Sequence, residues 1–139
     1  MFMTRFFQNL RKFGYFLFFF SFLALFFCES DKEFIKRPMP DANFATVRIG
    51  DTVYSTTDFK FENDRQRLMY KFWKFEKADA KSVKLSYEEH LDYIKLKPDF
   101  KEEKTYEFDK NFIIRIQGMV LNIYALTSNS MVYYMTQGE

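Results

Sequence analysis

One cysteine and one histidine set the limits of what this chain can do by side-chain chemistry. Cys28 has no partner for an internal disulfide and cannot build a thiolate metal cage. His90 stands beside Glu88 and Glu89, the only local cluster of titratable groups. On a helix, neighbouring positions point in different directions, so the two carboxylates cannot act as a facing pair without groups from elsewhere. A lone histidine among acids reads as a solvated surface residue. There is no glycine-rich phosphate loop, no serine–histidine pairing and no metal-ligand spacing. The expectation is therefore no catalytic residue, no cofactor and no metal: not an enzyme.

Cys28 has a different chemistry open to it. Residues 13–28 (FGYFLFFFSFLALFFC) carry no charge, follow Arg11 and Lys12, and are followed by Glu29, Ser30, Asp31, Lys32 and Glu33. A basic start, a short apolar run and a polar exit make the plan of an export leader. Sixteen residues at ~1.5 Å rise give a helix of roughly 24 Å, short of the ~30 Å hydrocarbon core. Three fates are open: lipidation of Cys28 after cleavage before it, cleavage after Ser30, or retention of residues 1–28 as an uncleaved anchor. The position of Cys28 at the end of the apolar run favours lipidation, although Phe27 stands where a small residue is usual. The chain is expected to be exported and membrane-associated, on the periplasmic or outer envelope face rather than in the cytosol. Its membrane contact would be the leader or a lipidated Cys28.

The leader also distorts the charge balance. Three of the 21 basic residues (Arg5, Arg11, Lys12) precede or flank the apolar run, and all 19 acidic residues follow it, leaving 18 against 19 and a net of −1. That balance gives nucleic-acid binding no electrostatic support.

Beyond the leader, residues 29–43 (ESDKEFIKRPMPDAN) are charged, broken by Pro38 and Pro40, and read as a tether to a single small domain over 44–139. Residues 44–49 alternate, Gly50-Asp51 signals a turn, and Thr52, Val53 and Tyr54 resume an extended pattern: strand, turn, strand. Ser55 to Asp58 has capping-box spacing and opens a helix expected over Asp58 to Lys77, with Phe61, Leu68, Met69, Phe72 and Phe75 on one side. Ser86 and Glu89 open a second helix, with Tyr87, Leu91 and Ile94 on its face and Pro98 ending it. Between residues 106 and 137 propensity and periodicity disagree. Ile113, Ile116, Val120, Ile123, Thr127, Met131 and Tyr134 share a helical face, with Gly138 as a cap, whereas the β-branched content and Ser128-Asn129-Ser130 suit a hairpin. The helix is the first expectation and the hairpin the alternative. The fold class expected is α+β, mainly helical, with three helices after a short strand pair.

The stretch Ala45 to Phe59 (ATVRIGDTVYSTTDF) resembles the opening of the SurA-type, parvulin-associated periplasmic chaperones. Gly50, Asp51, Ser55, Asp58 and Phe59 occupy matching positions, while Tyr54 stands where an aliphatic residue is usual. Met131, Tyr134 and Gly138 resemble the module's terminal helix. The resemblance implies a strand and turn running into the first chaperone helix. It does not extend to a parvulin domain, so prolyl isomerase activity is not implied. Together with the leader it suggests a non-enzymatic, membrane-tethered module holding unfolded exported polypeptides, with Trp73, Phe75 and Tyr133 as client-binding side chains. The alternative is an envelope lipoprotein with a structural or specific partner-binding role. A chaperone should leave an apolar groove open, and a structural lipoprotein should not.

Overall fold

A computed structural model describes residues 31–138, and these are all-β: nine strands in two antiparallel sheets, with no helix among the described residues. The strands are β1 (Glu33–Lys36), β2 (Ala45–Arg48), β3 (Thr52–Glu62), β4 (Arg65–Ala78), β5 (Ser82–Leu91), β6 (Phe100–Glu107), β7 (Ile113–Ile116), β8 (Met119–Thr127) and β9 (Ser130–Gln137). The first sheet runs β1-β8-β9-β2, with β7 pairing β8 alongside its Met119–Asn122 half and β1 alongside its Ala125–Thr127 half. The second is the meander β3-β4-β5-β6. The expected mainly helical fold is overturned: all three expected helices are strands and turns, and the alternative hairpin over residues 106–137 is nearer to what is found.

Turn chemistry explains much of this. Asn63 and Asp64 have φ of 49° and 58° between the paired residues Glu62 and Arg65. Two consecutive positive φ values make the turn whose twist matches a hairpin, and Asn and Asp tolerate them. Gln117 and Gly118, at 50° and 77°, do the same between Ile116 and Met119. The first expected helix would have run through the Asn63-Asp64 turn. Its apolar stripe is split: Phe61, Leu68 and Phe72 lie on the outer face of the second sheet, Met69 and Phe75 on its inner face. The second expected helix is β5 and the loop after it. Ser86, expected as a cap, is a strand residue with a buried hydroxyl. The third is cut by turns into β7, β8 and β9, with Ser128-Asn129 forming the β8–β9 turn. Gly138 is no helix cap. Its amide donates to the Gly118 carbonyl at 2.7 Å, and a Cβ there would stand 2.9 Å from that oxygen.

One core is shared by both sheets. The first contributes Ile35, Val47, Ile114, Ile116, Leu121, Ile123, Leu126, Met131 and Tyr133; the second contributes Val53, Trp73, Phe75, Val83, Leu85 and Tyr87. Each fully buried aliphatic side chain is worth roughly 1.5–3 kcal/mol relative to exposure. Polar contacts join the layers: the Tyr133 hydroxyl donates to the Val53 carbonyl at 2.5 Å, and at the corner the Gly50 amide donates to the Phe75 carbonyl at 2.8 Å while the Phe75 amide donates to the Asp51 carbonyl at 2.9 Å. Gly50, at φ +88°, lets the chain pass from β2 into β3 at this corner, where Asp51 also accepts the Arg48 amide at 2.9 Å.

Half of the stretch read as a tether is part of this fold. β1 pairs with β8, Ile35 is in the core, and Arg37 donates to the Ile123 carbonyl at 3.0 Å while lying over Tyr124 at 4.4 Å. Lys32 bonds the Ser128 hydroxyl at 3.3 Å, and Asn129 bonds Asp31. The described fold thus begins at Asp31, on the first sheet, beside the β2–β3 corner.

Candidate functional site

Cys28 and the leader lie outside the described residues. The three side chains expected to meet clients are in the core: Trp73 is 1% exposed, Phe75 0% and Tyr133 2%. Trp73 is fixed further by its indole N–H, which donates to the Tyr106 hydroxyl at 3.2 Å, and by its stack on Tyr87 at 4.7 Å. None of the three offers a client a surface.

His90 is equally far from the solvated helix residue expected. Alternation along β5 sets Ser86, Glu88 and His90 in a row on the outer face of the second sheet, and all three are buried. Glu88 accepts from Lys74 at 2.9 Å, from His90 Nε2 at 3.4 Å, and has Lys101 at 3.7 Å. Burial works against its ionisation, but the hydrogen bonds from Lys74 and His90 outweigh that and hold its carboxyl below the ordinary value. The Lys95 amide donates to His90 Nδ1 at 3.1 Å. That contact makes Nδ1 an acceptor, so the neutral ring carries its proton on Nε2, facing Glu88.

The order along the strand decides what this row can do. Successive same-face residues stand roughly 6.6 Å apart, so Ser86 and His90 are about 13 Å apart with Glu88 between them. A hydroxyl can be activated only by a base within ~3 Å. The arrangement Ser-Glu-His puts the carboxylate where the imidazole would have to be. Glu88 and His90 form a buried polar network that ties β4, β5, β6 and the following loop together, while the Ser86 hydroxyl is buried without a hydrogen-bond partner. No group of three or more potential metal ligands occurs among the described residues.

The loop between β5 and β6 folds onto the same face. Asp99 accepts the Leu91 amide at 2.8 Å and the Lys95 ammonium at 2.6 Å, both of which hold its carboxyl below the ordinary value. Asp92, at φ 68°, donates its amide to the Leu68 carbonyl at 2.7 Å. Arg67 bridges Asp92 and Glu62, each at 2.7 Å, and so clamps the loop to the β3–β4 hairpin.

Exposed apolar side chains stand on both of the parts that this clamp joins. From the hairpin come Phe59 and Phe61, the latter 74% exposed, with Leu68, Tyr70 and Phe72 half-buried beside them. From the loop come Tyr93, Ile94 and the fully exposed Leu96. Cross-strand partners share a face, so Phe59 lies over Leu68 and Phe61 over Gln66. The hairpin end of the second sheet is remote from Asp31: β3 spans roughly 35 Å from the corner to the hairpin tip at ~3.3 Å per residue. The sequence reading missed the exposed hairpin because Phe61, Leu68 and Phe72 were assigned to a helix face turned inward. The Asn63-Asp64 turn between two aromatic runs was the signal that could have shown it. No family model matches the chain, and no curated protein or solved structure matches it either.

Proposed function

We propose that the chain is an exported, membrane-held domain that binds a protein partner without catalysis, through the outer face of its second sheet. This is the partner-binding form of the envelope lipoprotein reading. The observation that carries it is the exposure of Phe59 and Phe61 on the hairpin and of Tyr93, Ile94 and Leu96 on the loop that Arg67 and the Asp92 amide hold to that hairpin. Single exposed apolar residues are ordinary, but a contiguous group bordered by charge marks an interaction site. A closed core and a loop fixed by several hydrogen bonds suit a preformed surface for a particular partner, rather than the adaptable groove that varied clients require. The leader and Cys28 supply attachment, and the chain joins the fold on the opposite sheet.

The test is the native mass of the protein extracted in mild detergent from membranes of its own host. The parent should run in an assembly heavier than the 17.0 kDa chain. The triple substitution Phe61→Ser, Ile94→Ser, Leu96→Ser should release the monomer while leaving the melting temperature within a few degrees of the parent's, because these side chains contribute little to the core. A parent that runs as a monomer, or a variant that stays in the assembly, would rule the surface out.

A further inference from the structure

We infer that the partner at this end is a second copy of the chain, joined edge to edge through β3 into one continuous eight-stranded sheet. The inference rests on the partner-binding reading and adds to that face a second contact, the β3 edge beside it, with a second copy of the chain as the partner there. β3 ends the second sheet, and among the described residues no strand pairs with its outer side. At eleven residues it is the longest free edge; β1, β2 and β7 have four residues each. The opposite edge, β6, carries the consecutive charges Lys101, Glu102, Glu103 and Lys104, which discourage pairing. β3 carries Ser55, Thr56 and Thr57 and then alternates charge with aromatic side chains through Asp58, Phe59, Lys60, Phe61 and Glu62. The Phe59 amide donates to its neighbour's carboxylate, Asp58 Oδ1, at 2.8 Å and not to β4, so it faces the free edge, where a new strand's carbonyl would replace that contact.

The sequence of β3 chooses a register. Antiparallel pairing centred on Phe59 sets Phe59 against its own copy, Thr57 against Phe61, and Asp58 against Lys60, the last two pairs occurring twice. Lys60 has no ion-pair partner among the described residues, whereas Asp58 holds Lys71 at 3.2 Å. Centring one residue earlier sets Asp58 against Asp58. Centring one residue later sets Lys60 against Lys60 and Asp58 against Glu62. Cross-strand opposite charges stabilise and like charges oppose, so a single register is favoured. The two-fold axis of such a pair is perpendicular to the sheet. Both copies of the first sheet, where the described residues begin at Asp31, then lie on the same side. The two apolar surfaces meet on the other side through Phe59.

The test is oxidative cross-linking of the full chain in membranes with copper phenanthroline. Phe59→Cys would place two thiols in a directly opposed pair with Cα atoms about 5.5 Å apart, within disulfide reach. A disulfide-linked dimer well above the level given by the parent, which has Cys28 alone, is expected. Thr105→Cys, on the β6 edge, should stay at the parent's level. Adding Thr57→Pro removes an amide that faces the free edge, leaves the β3–β4 ladder intact, and should abolish the product. Without any introduced cysteine, Lys60→Glu should weaken dimerisation measured by sedimentation roughly tenfold or more, because two cross-strand pairs change sign. No product from Phe59→Cys above the parent, or equal product from Thr105→Cys, would overturn the dimer. A heavy native assembly that contains a single copy of this chain would overturn it too, while leaving the partner-binding surface standing.

Discussion

Glu88 belongs to the one local titratable cluster of the sequence, and the fold surrounds it with cations and an imidazole. Its two oxygens receive Lys74, His90 and Lys101, and its neighbours on the outer face are a serine and an imidazole too far apart to react. Glu88→Gln keeps the shape and removes the charge, leaving the Lys74 ammonium without its counterion. Breaking a buried ion pair costs about 3–5 kcal/mol; Lys74 is a third exposed, so about 1–2 kcal/mol is expected at pH 7. The pH dependence has a definite sign. Glu88 in the folded chain ionises below its ordinary value of 4.5, so its contribution is complete above that value and is lost as pH falls through the folded value. Asp58, Asp79, Asp92, Asp99 and Glu103 are shifted in the same direction. Urea unfolding of parent and variant between pH 7 and pH 2 should therefore show a gap that closes below about pH 4.5 as Glu88 itself takes up a proton. A gap that widens on acidification would contradict the pairing.

At the scale of elements, β1 carries the sharpest expectation. Residues 33–36 fill one edge position of β8 and put Ile35 into the core, so this segment is a strand and not a spacer. Ile35→Ala should cost about 2–4 kcal/mol, as large-to-small changes at buried sites do. Lys36→Ala, at an exposed position of the same strand, should cost little. Equal effects in thermal unfolding would mean that β1 is not docked. The sequence showed β2, the Gly50-Asp51 turn and the start of β3, because alternation and a turn residue agree there. The same turn is where the chaperone resemblance lies, but the helix it implies after Asp58 is the rest of β3, with β4 beyond the hairpin turn. The remaining strands were hidden for a physical reason. β4 has apolar residues on both faces, Trp73 and Phe75 inward, Tyr70 and Phe72 outward, and a strand covered on both faces loses the period of two that marks it. In β8 and β9, short turns at Gln117-Gly118 and Ser128-Asn129 fall so that separate strands mimic one helical face. The buried row of Ser86, Glu88 and His90 was legible as i, i+2, i+4 spacing, and only the helical assignment of Ser86 to Leu91 concealed it.

For the whole molecule, the chain enters the described fold through β1 on the first sheet, and the exposed Phe59 and Phe61 stand on the second. If Cys28 is the lipidated residue, Cys28→Ala should move the processed protein from the detergent phase to the aqueous phase in phase partitioning. Unchanged partitioning would leave an uncleaved anchor as the attachment. Neither result alters the surface built by the β3–β4 hairpin and the β5–β6 loop, on which the proposed function depends. Hydrogen–deuterium exchange tests that surface most directly, by comparing the protein in native membranes with the monomer isolated from them. The expected result is added protection in the membrane confined to residues 57–62, 68–72 and 92–97, with β7, β8 and β9 exchanging alike in both states. Added protection concentrated in β7 to β9, or none anywhere, would contradict partner binding at this face.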